Sequence, residues 1–215
     1  MRKLLLLALI PFALSSHAAV KGTYRLEDGK QLQLIYLDPQ RIRMTMGEEA
    51  QLVLRDGTTW MLSKQAGQWM AMDLKSMGGL MQAVRRPAAI EDQKADEVSM
   101  RSLGRTETVA GYEGEVWEIR SGEERYEVVL SDHPDVRELT EGWRYMAEKL
   151  ASSFGVEAAQ QLQEALAAMP ARQTGLLRQG NNMILIGIET DVTASDADMP
   201  PGTTTMQMPS IPGLN

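Results

Sequence analysis

The chain has 215 residues, with 22 Lys and Arg against 29 Asp and Glu, and no Cys. A net charge of −7 argues against nucleic acid or an anionic membrane as partner, and the lack of thiols excludes disulfides, Cys-ligated metals and a lipid-attachment cysteine. Two His and 15 Met make the available side-chain chemistry soft and apolar rather than acid–base.

In chain order, Arg2-Lys3, the apolar run from Leu4 to Leu14 and Ser16-His17-Ala18 read as a secretory signal, residues 1–18, cut after Ala18. The apolar run is too short to cross about 30 Å of hydrocarbon as a helix, so the mature form is expected without a transmembrane span and in the periplasm. Losing Arg2 and Lys3 leaves 20 basic against 29 acidic residues, a net charge of −9 on 197 residues, enough for one domain with a proper core.

From Gly22 to Leu74 the period-two pattern, punctuated by Asp28-Gly29, Asp38-Pro39, Gly47-Glu48 and Asp56-Gly57, predicts a meander of six antiparallel strands. Met77, Leu80, Met81 and Val84 predict a short helix, and the polar stretch 85–97 a mobile connection. Strand signals return near Arg101 and run through Thr106 to Val109, Glu115 to Arg120 and Arg125 to Leu130. Asp132 is the expected cap of a helix opened by Pro134 and Asp135, with Val136, Leu139, Trp143, Met146, Leu150 and Phe154 on one stripe. Gly155 ends it, and Val156, Ala159, Leu162 and Leu166 mark a second helix stopped by Pro170. Two strands, Gly175 to Gln179 and Met183 to Val192, complete a domain over residues 19–192 with a helical insertion at about 132–169. The Pro-rich tail 193–215 is expected to be loose, with one edge strand near Thr203 to Gln207.

Three short motifs carry a resemblance: Leu52-x-Leu54-x-Asp56-Gly57-x-x-Trp60, Trp69-x-x-x-Asp73, and Thr106-x-x-Val109-Ala110-Gly111-Tyr112-x-x-x-Val116-Trp117. Together with the signal they resemble the LolA/LolB-like periplasmic lipoprotein-carrier superfamily over residues 20 to 192, most closely its domain-of-unknown-function relatives. The resemblance implies an α+β fold: a curved antiparallel half-barrel whose concave face is covered by two amphipathic helices, enclosing an apolar cavity. A carrier's lid-holding Arg has no assigned counterpart; Arg41 and Arg43 lie on a strand beside a turn and read as solvated.

Catalytic groups are sparse. His133 is the only mature imidazole and sits at a helix start, where a capping or exposed role explains it. Glu48-Glu49 and Glu123-Glu124 are adjacent on strands or turns and face opposite ways, so neither makes an acid–base dyad. No phosphate loop or metal-ligand spacing occurs, so neither an enzyme nor a cofactor is expected. The unusual pattern is Met-x-Met, at Met44 and Met46, Met70 and Met72, and Met206 and Met208. Each pair points to one strand face, where thioethers can pack the core, pad an apolar cavity, or meet a soft ion such as Cu(I) with Trp69 nearby.

The cavity expected from these patterns is lined by Leu34, Tyr36, Met44, Met46 and Leu54, by Trp60, Met70 and Met72, and by Trp143, Met146 and Leu150 from the helix. Alternation does not fix which strand faces line it, since Leu34 and Ile35 are both apolar. The functional expectation is a periplasmic, non-enzymatic binding or chaperone-like protein that holds a lipid, an acyl chain or a lipoprotein client. The alternatives are a Cu(I) chaperone and an interaction module without ligand.

Overall fold

The structure, a computed structural model, describes residues 19–76, 98–154 and 175–206. Six strands, β1 (Val20–Leu26), β2 (Gln31–Asp38), β3 (Arg41–Met46), β4 (Ala50–Arg55), β5 (Thr58–Gln65) and β6 (Gln68–Asp73), follow one another as a meander. Then come β7 (Val98–Val109), β8 (Tyr112–Ser121), β9 (Glu124–Ser131), the helix α1 (Pro134–Phe154), β10 (Gly175–Gln179) and β11 (Met183–Glu189). A 3-10 turn (Ala194–Ala197) and β12 (Thr204–Met206) close the described chain. The expected short helix after Ser76, the connection 85–97 and the second helix after Gly155 lie outside the described residues.

All twelve strands join one unclosed sheet in the order β12-β6-β5-β4-β3-β2-β1-β11-β10-β9-β8-β7, antiparallel except for the β12–β6 pair. The turn at Asp56 (φ 50°) and Gly57 (φ 78°) shows why the meander forms: both residues take left-handed backbone, the primed turn whose twist matches its flanking strands. Beyond β11 the sheet rolls inward. Arg178 on β10 reaches past β9 and β8 to donate from Nε and Nη2 to the two carboxylate oxygens of Glu107 on β7, at 2.9 and 2.7 Å, and β7 touches β11. Register shifts in β7, between Ser102 and Thr106, and in β10, between Leu176 and Arg178, supply local bends for this curl.

One face, called inner here, carries the main core: Val20, Tyr24, Leu34, Tyr36, Ile42, Leu54, Val129, Leu177 and Leu185 meet Val136, Leu139 and Met146 of α1. The helix starts at Pro134, but its cap is not Asp132. The Asp135 N–H donates to Nδ1 of His133 at 3.3 Å, while Ser131 Oγ accepts the His133 N–H at 3.2 Å. The imidazole therefore has the structural role of an N-cap.

Two glycines let α1 sit against the sheet. A Cβ on Gly22 would lie 2.2 Å from Cδ2 of Leu139, and one on Gly142 would lie 2.8 Å from Cβ of Tyr36. Leu139 thus fills the gap that Gly22 leaves in β1, and Tyr36 packs against the bare backbone at Gly142.

The outer face carries separate clusters, Ile35 and Leu37 under Ala197, and Val53, Leu62 and Ala71 with Trp60, Trp69 and Met199. Residues 193–206, expected as part of a loose tail, instead cross this face as a strap. Arg43 Nη1 donates to the backbone carbonyls of Asp196 and Asp198, both at 3.2 Å, and Arg55 Nη1 donates to the Asp198 carboxylate at 3.1 Å. The strap then pairs Thr204–Met206 with β6, at the position where the sequence predicts an edge strand.

Candidate functional site

Strand register places the inner-face side chains in rows. Gly22, Leu34, Met44, Leu52, Met61, Met72 and Met206 lie opposite one another across β1, β2, β3, β4, β5, β6 and β12. A second row runs from Tyr24 through Leu32, Met46, Ala50, Ser63 and Met70 to Thr204. The helix rests chiefly on β10, β2 and β1, so its side chains crowd one end of these rows while the methionines gather at the other.

At the helix end the packing is dense and aromatic. Trp143 meets Tyr24 edge-on, with ring centroids 5.8 Å apart, and Tyr145 stacks on Tyr36 at 6.2 Å. Burial pushes the Tyr24 and Tyr36 phenols well above their ordinary range, so both stay neutral, and the Tyr24 hydroxyl lies 3.4 Å from the Leu176 carbonyl.

The predicted cavity residues divide accordingly. Leu34, Tyr36, Met44, Leu54 and Met146 are buried together in the inner core, and Trp143 and Leu150 pack against it half-buried. Met70 and Met72 lie on the inner side of β6, half-buried, because Ala71 between them points into the outer cluster. Met46 ends β3 at 41% exposure and borders an open pocket of about 530 Å³ with Leu26, Lys30, Glu48 and Ala50. Trp60 departs from the set. It faces outward with Val53 and Leu62, because its partner in β4 is Val53 rather than Leu52. Met61 takes the inward position instead, a residue that sequence reading passes over because Trp60, Met61 and Leu62 form an unbroken apolar run.

Polar groups elsewhere serve the frame. Arg178 is held by Glu107 and Glu127, and the Glu107 carboxylate, the first among these partners, raises the guanidinium above its ordinary value. Among the described residues no three His, Cys, Asp or Glu side chains converge as metal ligands, and no helix is long and apolar enough to cross a membrane.

The family described as a domain of unknown function, DUF4412, matches residues 22–172. The chain belongs to the DUF4412 family. The match spans the meander, α1 and the segment beyond it, stopping before β10. No curated protein matches the chain.

Proposed function

We propose that this DUF4412 protein is an exported, non-enzymatic carrier or chaperone whose inner sheet face holds an acyl chain or the lipidated end of a client. The observation behind this reading is the uneven cover of the inner face. α1 fills the β1–β2 end with interlocked aromatics, whereas Met46, Met61, Met70 and Met72 leave a flexible, partly accessible apolar surface on β3, β5 and β6. Unbranched thioether side chains adapt to irregular apolar guests better than branched ones, and a ligand site is typically a mostly apolar concavity. The basic, apolar and small-residue order of residues 1–18 supports export to the periplasm, and the resemblance to lipoprotein carriers supports an apolar guest on the inner face of a half-barrel.

The test is native mass spectrometry of the protein purified from the periplasm, together with titration of a fluorescent acyl probe. Copurified lipid and saturable probe uptake are expected, with uptake lost in Met72→Lys. A protein free of lipid that takes up no probe would leave an interaction module as the better account.

A further inference from the structure

The methionine row has a chemistry beyond apolar padding. Six of the ten methionines among the described residues, Met44, Met46, Met61, Met70, Met72 and Met206, stand on the inner side of β3, β5, β6 and β12. Register sets Met61 directly opposite Met72, and Met72 directly opposite Met206, on three adjacent strands; Met70 follows two residues along β6. Directly opposed side chains on neighbouring strands have Cβ atoms roughly 5 Å apart, and each thioether has three rotatable bonds with which to bring its sulfur to a shared point. Met61, Met70, Met72 and Met206 are half-buried, unlike Met146 in the core, so an ion can reach them without unfolding the sheet.

We propose that Met61, Met72 and Met206, with Met70 as the adjacent donor, form a thioether site for a soft monovalent cation, Cu(I) in particular. Packing alone explains Met146, which is fully buried in the inner core. It explains half-exposed positions poorly, because there a flexible side chain loses rotamer freedom for little buried area. Neutral sulfur ligands select Cu(I) over hard divalent ions, and a chain with 29 acidic and 22 basic residues favours uptake of a cation. The ladder hydrogen bonds fix β5, β6 and β12 in register, so the donors are held side by side before the ion arrives. This inference is independent of the lipid reading, since an acyl chain needs only the apolar surface and the ion needs the sulfurs.

The experiment uses the whole mature protein labelled with 13C at the methionine methyls and titrated with Ag(I), a redox-inert stand-in for Cu(I). Saturable shifts confined to the methyls of Met61, Met70, Met72 and Met206 are expected, with Met146 and Met183 unmoved. Competition against a chromogenic Cu(I) chelator under reducing conditions should give a Kd below about 1 µM, weakened at least about tenfold in the double variant Met61→Leu and Met72→Leu. Leucine removes the sulfurs and keeps the positions apolar, so lost Cu(I) affinity in the folded variant reports on the thioethers themselves. Methyl signals indifferent to Ag(I), or Cu(I) affinity unchanged in the folded double variant, would overturn the site. Should the double variant fail to fold, the methyl titration of the unaltered protein decides alone.

Discussion

On the inner face α1 is seated by shape: Leu139 enters the space left by Gly22, and Tyr36 lies against the backbone of Gly142. On the outer face the strap 193–206 is tied by one guanidinium to two carbonyls, by a surface ion pair and by a three-residue ladder. The inner contact removes fully buried apolar groups from water and so scales with volume and fit. The outer contact buries few apolar groups, chiefly Ala197 and Met199, and otherwise exchanges hydrogen bonds with solvent, each of small net worth. The two faces of one sheet should therefore differ in what loosens them, and by how much.

The largest effect expected is for Leu139→Ala, which leaves a hole between α1 and β1 and should lower stability by about 3 kcal/mol in chemical denaturation. Gly22→Ala should cost about 1–2 kcal/mol by overpacking the same point. Combining the two should cost clearly less than their sum, because the new methyl enters the space that Leu139 vacates. Strict additivity would mean that the helix is not seated there.

Arg43→Met should cost only about 1 kcal/mol globally, since losing two hydrogen bonds is offset by no longer burying Arg43 Nε without a partner. Its signature is local: hydrogen exchange should quicken across residues 193–206 while α1 stays protected. Exchange rising equally in α1 would erase the distinction between the faces.

The smallest effect is a pH dependence of the strap. The Thr193 N–H holds the Asp196 carboxyl below its ordinary value, so this contact contributes fully above about pH 4 and is lost as pH falls through the depressed folded value. Amide protection of Thr193, followed by NMR from pH 6 downward, should fade in acid, and Asp196→Asn should remove that dependence.

The strands were legible because their turns are local. Asp56-Gly57 encodes a hairpin in two residues, and the bounds of β10 coincide with those expected from Gly175 and Gln179. The facing of β5 was not legible. β4 is buried on both sides from Gln51 to Leu54, so alternation offers no contrast by which to assign Trp60 or Met61. Arg43 read as solvated for a different reason: its partners are carbonyls more than 150 positions away, and a backbone acceptor leaves no mark in composition. A capping role for His133 was legible from its place at the helix start; only Asp132, the commoner capping type, departs from expectation, because the imidazole stands one residue closer to Pro134.

The place where the strap ends has a consequence for self-association. Without β12, strand β6 would be a flat border of free N–H and C=O groups flanked by Trp69, Met70 and Met72, a ready template for another copy of the chain. Three residues of parallel pairing close that border. At the far border, β7 is interrupted by its bulge and bears Arg101 and Arg105, paired with Glu118 and Glu127, so that edge is bent and polar rather than flat and apolar. A chain shortened before Thr204, or carrying Thr205→Pro, should keep its inner core yet form fibrils on standing.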